Sequence, residues 1–314
     1  MFHSAQIDPT LQLTWIPGQC ALNCALSSPA APCGRPWGGK TASSAVQGTF
    51  TRLGTAWEGG VGSEGSARFP VVTDSATPEI TFRSDVTVEL VKSSASDADV
   101  VFAARVSTKG EQSLDDVDGD TSRSAGLINY LMRDRHGSPF EHNSFTFFVR
   151  APIFVWREHM RHRITSYNEE SGRYRELEPV FYVPGPERNL VQQGKPGAYE
   201  FVPGTPEQLA IVEEQVRASC TQAYAAYQAM LEAGVAREVA RIVLPVTIYS
   251  SAYVTMNARA LMNFLSLRTK REGSHFPSFP QREIEMVAEK YEDEFARLMP
   301  LTYAAFQTNG RVAP

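Results

Sequence analysis

Between residues 161 and 176 the chain reads RHRITSYNEESGRYRE, where four arginines, Arg161, Arg163, Arg173 and Arg175, sit among Glu169, Glu170 and Glu176. Ser166, Tyr167, Asn168, Ser171 and Tyr174 add hydroxyls and an amide. A guanidinium is a rigid, permanently charged fork of donors that matches phosphate oxygens and the edge carbonyls of a pyrimidine. Together with Ser171, Asn168 and the backbone amides of a turn containing Gly172, the segment suits a small phosphorylated ligand. It carries no GxxxxGK[ST] loop, and no Rossmann glycine fingerprint occurs, so a nucleotide cofactor has to be held by another scheme. Glu158, His159 and His162 could suggest a metal, but HxxH at a helix end without a third ligand nearby is a weak site, and no metal is expected.

The elements that must position these side chains can be read around them. Pro152 stands where a helix can start, and IFVWREHMRH continues it, with Ile153, Trp156 and Met160 spaced for one buried face and Arg157 and Arg161 on another. The arginines then run into what reads as a polar loop. Upstream, ITFRSDVTVELV places Ile80, Phe82, Val86, Val88 and Leu90 on one parity, as in a single half-buried strand. NSFTFFVRA and VTIYSSAYVTM are also strand-like. Helices are expected from Asp97 to Val106, across AGLINYLMRDR, over 208–233, in REVARIVLP, in NARALMNFLSLR with Asn257 as its cap, and near the end in PSFPQREIEMVAEKYEDEFARLM. Helices and strands mix without a regular βαβ alternation, which predicts an α+β fold with an antiparallel-rich sheet.

The chain of 314 residues, 42% hydrophobic and 21% charged, is long enough to bury a substantial core. Its net charge of -5 argues against a general nucleic-acid or membrane-surface partner. The apolar run FTFFVRAPIFVW is short and interrupted by Arg150 and Pro152, so it does not read as a membrane span. No basic region precedes the uncharged stretch LQLTWIPGQCALNCALSSPAAPCG as a secretory signal requires, and cytoplasmic residence is expected. Residues 1–75 are rich in Gly, Ser, Ala, Pro and Thr without a period, the signature of a disordered extension, which leaves 76–314 as the folded domain. Cys20, Cys24 and Cys33 lie in that extension, whereas Cys220 falls on the apolar stripe of the 208–233 helix and reads as a buried small hydrophobe.

Arg161, His162 and Arg163, followed by seven residues and Ser171, form the RHRx7S signature, and in this respect the chain resembles the flavin-dependent thymidylate synthases. The resemblance extends, in the same order, through ARVS, SPFEH, APIFVWRE, PVFYVP, GVAREVARIVLP and NARALMNFLSLR. It implies a homotetramer that makes dTMP from dUMP, taking a one-carbon unit from methylenetetrahydrofolate and reducing equivalents from NADPH through FAD. Carried over by motif, Arg161, His162 and Arg163 would contact FAD, together with Ser138, Glu169, Asn257, Ala258, Arg259 and Asn263. The nucleotide dUMP would meet Glu158, His159, Met160 and Arg161, then Glu169, Glu170, Ser171, Gly172 and Arg173, and also Arg241. Glu158 stands where the family commonly has glutamine, and Ser138 where it often has threonine. Arg268 matches the arginine that activates the pyrimidine at N3.

That chemistry suits the residues. Methylation at C5 needs an electron-rich ring, and an arginine at the N3 edge favours the anionic ring without giving up a proton. The rival readings are an RNA-binding module, which the acidic balance disfavours, and a phosphohydrolase, which would need clustered carboxylates for two metals. His136 and Glu141 each admit two readings, a cofactor-facing group or an ordinary surface or ion-pair residue, while Tyr167 and Tyr174 are expected to pack under the arginine loop. A variant with all four cysteines replaced by Ser or Ala is expected to keep forming dTMP, losing about 1 kcal/mol of stability through position 220. Chromatographic assay of dTMP checks this, and loss of turnover in a folded variant would put a thiolate back into the mechanism.

Overall fold

Aromatic and β-branched residues alternate along the central strand β3 (Phe145–Pro152), and the alternation decides which face is buried. Phe145, Phe147 and Val149 point inward, and their partners on β8 (Tyr249–Met256), namely Met256, Val254 and Ala252, are buried on the same face. The computed structural model describes residues 79–110, 121–195 and 198–314. The expected disordered extension, with Cys20, Cys24 and Cys33, lies outside the described residues. The main sheet has the order β2-β3-β8-β4, antiparallel throughout, with β2 at Thr87–Ser93 and β4 at Ser166–Glu169.

Two helices cover the apolar face. They are α6 (Ala258–Arg268) and α7 (Arg282–Leu298), and α7 brings Tyr291 to 4.3 Å from Phe147 and sets Phe295 edge-on to Phe145. Around them lie α1 (Asp97–Lys109), α2 (Thr121–Arg133), α3 (Ile153–His159) and α8 (Pro300–Thr308). The Asp97 carboxylate caps α8, accepting from Leu301 N and Thr302 N, both at 2.9 Å.

A second core forms where the 27-residue helix α4 (Pro206–Glu232) packs on β5 (Val180–Tyr182) and α5 (Arg237–Ala240). Thr205 and Gln208 close a reciprocal cap at its start, and Cys220, Tyr224 and Tyr227 are its buried face. Cys220 is therefore the core residue that its position on the stripe implied. Burial pushes its thiol up, and its sulfur sits 3.3 Å from Thr247 Oγ1. A hairpin of β6 (Val191–Lys195) and β7 (Ala198–Val202) projects beside it.

The α+β architecture stands, with three local corrections. The single strand expected from Ile80 to Leu90 is two: β1 (Thr81–Arg83) pairs in parallel with β5, and β2 pairs with β3 in the main sheet. The arginine loop is not all loop, because Ser166–Glu169 forms an edge strand on β8. The helix expected over 277–299 is α7, and a further one that was not expected, α8, follows it after Met299.

Asn257 caps α6 as expected, accepting from Ala260 N at 2.9 Å. A second cap was not foreseen. Asn143, buried ahead of β3, accepts from Ala258 N at 2.7 Å and holds the helix start from outside. Replacing Asn143 by Ala removes that acceptor from a buried amide, so about 1–2 kcal/mol of stability is expected to be lost. Urea unfolding of the variant measures it.

Candidate active site

The RHR turn leaves α3 from a fixed point. His159, the last residue of the helix, is fully buried between Tyr167 of β4 and Tyr291 of α7, with each phenol oxygen 3.0 Å from a ring nitrogen. Tyr167 donates its own proton to the His159 carbonyl at 2.8 Å, so Nδ1–H of His159 donates to Tyr167 and Nε2 accepts from Tyr291. Burial first, then the neighbouring His162, push the His159 pKa down to about 3. Its side chain is thus a core group and reaches no cavity.

Past the turn, Arg161, His162 and Arg163 line a cavity of about 500 Å³ with Asn257, Arg259 and Asn263 of α6 and its cap. Two segments far apart in the sequence, 161–163 and 257–263, therefore meet in one cavity wall. Ala258 is buried beneath them, and Ser138 lies in a short 3-10 turn over 138–141. Among the described residues Arg161 and Arg163 pair with no carboxylate, so the cavity presents uncompensated positive charge. A Cβ at Gly137 would stand 2.6 Å from the Arg259 guanidinium, so a larger residue there would displace the end of that side chain. Glu141 pairs with Arg259 at 2.5 Å at the rim, and His136 stacks on Tyr130.

Arg268, at the end of α6, stands on the wall of this cavity. Its Nη1 donates to Glu158 Oε2 at 2.8 Å and its Nε donates to His162 Nε2 at 3.1 Å. His162 accepts there, so its proton is on Nδ1. Burial, then the charge of Arg268, holds its pKa down to about 4, and the ring is neutral at pH 7. Arg268 and Glu158 also form part of the wall of a larger cavity of about 1010 Å³, closed by Tyr199 and Phe201 of the hairpin and by Lys270, Phe279 and Arg282.

The remaining predicted residues gather elsewhere. Gly172 packs against Leu177 and Arg241, and Arg173 pairs with Glu238 of α5 at 3.0 Å, so Gly172, Arg173 and Arg241 form one cluster. Glu169 accepts from Ser250 Oγ at 2.6 Å, and Glu170 from Ser251 N at 2.8 Å. Both border a third hollow on the sheet with Arg150 and Arg175. Neither cavity that contains Arg268 has Arg173 or Arg241 in its wall. Met160 is 38% exposed and Tyr174 80% exposed, so neither packs as its spacing suggested, whereas Tyr167 does.

Residues 89–301 match the family described as "Thymidylate synthase complementing protein". A flavin-dependent thymidylate synthase of Streptomyces coelicolor is 71% identical over 238 residues, 76% of this chain and 97% of that protein. The chain belongs to the flavin-dependent thymidylate synthases. A relative from Thermotoga neapolitana retains 44% identity over 219 residues, 70% of this chain and 89% of its own. Among solved structures, the UMP/dUMP methylase PolB of Streptomyces cacaoi, bound with 5-Br dUMP, aligns with a TM-score of 0.71 at 57% identity, over 75% of this chain and 100% of that one. Its form bound with 5-Br UMP gives 0.70 at 56%, over 76% and 100%.

In this flavin-dependent thymidylate synthase the buried His159 also has a thermodynamic signature. Its folded pKa lies below the ordinary value of 6.5, so between about pH 6.5 and 3 the unfolded chain binds more protons than the folded one. Stability is unaffected by this group above that window and falls as pH drops through it, by up to about 1.4 kcal/mol per pH unit. NMR of the histidine ring should show no titration from about pH 8 to 5, and His159→Gln should flatten the acid limb of the stability curve.

Proposed function

We propose that the chain catalyses the reductive methylation of dUMP to dTMP, with methylenetetrahydrofolate as one-carbon donor and NADPH as reductant through FAD. The observation that carries this reading is the placing of Arg268, which stands between a cationic cavity and a larger mixed one and is held by a neutral histidine on one side and a glutamate on the other. The donor set of the smaller cavity fits a dinucleotide with two phosphates: Arg161, Arg163 and Arg259 supply charge, and Asn257 and Asn263 supply carboxamides. These residues, together with Ser138 of the 138–141 turn, would hold FAD. When bound, the flavin supplies the hydride chemistry that the side chains lack.

The nucleotide is read by charge. Arg268 binds the N3 edge of the pyrimidine and stabilises negative charge on the ring, which makes C5 nucleophilic. Glu158 presently occupies the acceptor position that this edge would take. Ser171, Gly172, Arg173 and Arg241 bind the phosphate, and because they cluster apart from Arg268, each site combines residues of different chains in a homotetramer. The reaction uses no thiolate, and Cys220, the one cysteine among the described residues, is buried against Thr247. Residues 76–314 form the catalytic domain, a reading supported by relatives that align over 238 and 246 residues of the chain. Among the described residues no helix is long and apolar enough to cross a membrane, and the enzyme works in the cytoplasm on small-molecule substrates.

A ribonucleotide acceptor is the second reading, favoured by the similarity to a methylase described for both UMP and dUMP. Purified protein should carry flavin absorbance and convert dUMP to dTMP, with UMP assayed beside it. Arg268→Ala should retain the flavin and lose methylation by about 10²-fold or more, the usual cost of removing a preorganised charge-stabilising donor. An Arg268→Ala enzyme that turns over like its parent would sink the assignment.

A further inference from the structure

Residues 310–314 follow α8 and lie against α6 at both of its ends. Arg259, in the first turn of α6, donates from Nε to the Pro314 main-chain oxygen at 2.6 Å. At the other end Arg311 donates from Nη2 to Thr269 Oγ1 at 2.9 Å, and Thr269 is the residue after Arg268. Arg311 is only 2% exposed and is one of the largest fully buried side chains among the described residues. Its Nη1 lies 2.7 Å from Glu292 Oε1, a carboxylate also approached by Arg271 at 3.0 Å and by the Tyr303 hydroxyl at 3.0 Å.

Thr269 is correspondingly fixed. It is 1% exposed. Its N–H and its hydroxyl both donate to the Leu265 carbonyl, at 3.1 and 2.7 Å, and its own carbonyl accepts from Ser278. Arg311 completes the set from outside the helix. The backbone of Arg311 is left-handed, with φ 57°, a conformation that a non-glycine residue holds only when its surroundings impose it. His275 contributes to that, donating its N–H to the Gly310 carbonyl at 2.8 Å.

Stability alone is a poor account of this arrangement. A buried Arg–Glu pair must recover a large desolvation cost, and an apolar pair of similar shape would often do as well. Among the described residues neither Arg311 Nε nor Arg311 Nη1 has a hydrogen-bond partner, and Nη1 meets Glu292 as an ion pair alone. What the guanidinium does that an apolar side chain could not is to reach Glu292 and Thr269 at once.

We propose that Arg311 is a positioning residue: acting through Thr269, it holds the end of α6 so that Arg268 meets the pyrimidine edge of the nucleotide in one orientation. The proposal rests on the reading of Arg268 as the pyrimidine contact. A lysine at 311 keeps the charge opposite Glu292 but loses the fork, so Arg311→Lys separates the two functions.

The test is a binding cycle, with dUMP titrated calorimetrically into flavin-loaded full-length protein in four forms: parent, Arg311→Lys, Arg268→Ala and the double variant. Arg311→Lys should weaken dUMP about tenfold when Arg268 is present and produce no further loss in the Arg268→Ala background. A merely structural role would weaken binding equally in both backgrounds, and that result overturns the proposal. Should Arg311→Lys fail to fold, Thr269→Val cuts the same link with the Arg311–Glu292 pair left in place. It should show the same dependence on Arg268, and unchanged affinity in a folded Thr269→Val protein is equally fatal. If Arg268→Ala alone binds dUMP like the parent, the assignment of Arg268 falls and takes this proposal with it. That result is distinct from equal losses in both backgrounds, which leave Arg268 in place.

Discussion

A neutral imidazole held between two phenols ties three elements of this fold together. His159 ends α3, Tyr167 belongs to the edge strand β4 and Tyr291 to α7, so one ring joins the helix that bears the arginine turn to the sheet and to the covering helix. Both ring nitrogens are used, and the site is too dry for the ring to accept a second proton at neutral pH. The turn over 161–163 therefore starts from a rigid base. Two guanidiniums can face a cavity without the ordering cost that a free loop would incur when a ligand arrives.

Arg268 shows how such a site stays stable before its ligands bind. A partly buried guanidinium left without an acceptor would be expensive, and here Glu158 and His162 supply the acceptors. On the proposed assignment, a nucleotide edge entering the site would exchange one partner for another. The gain in affinity is smaller than for a bare cation, but the charge keeps its direction throughout, and direction is what transition-state stabilisation depends on.

What was legible in the sequence follows from how local the cause is. The apolar stripe through Cys220 and Tyr224, the Asn257 cap and the α3 start at Pro152 depend on spacing within one element, and they were readable. The strand at Ser166–Glu169 was not, because an edge strand of polar residues carries little alternation, and its pairing with β8 lies more than eighty residues away in sequence. The split of β1 from β2 has the same origin: parity continues across Ser84 and Asp85 while the partners change from β5 to β3. A motif carries residue positions but not directions. Successive helical residues point about 100° apart, which is why Glu158 reaches Arg268 while His159, beside it, faces the core. Arg311 gave no signal, since a lone arginine near a chain end usually reads as surface.

The described residues form two apolar cores, and the proposed site draws on both. Arg268 and the 161–163 turn are mounted on the first, around α6 and α7. The cluster proposed to hold the phosphate hangs from the second, where the Leu177 N–H donates to the Tyr227 hydroxyl and the Leu177 carbonyl accepts from Tyr224. Sub-global opening of a protein follows such seams, because cooperative units exchange with solvent separately. On the proposed assignment, a transient detachment of α4 would slacken the grip on phosphate while leaving the flavin-side cavity intact, and a nucleotide would leave without its cofactor.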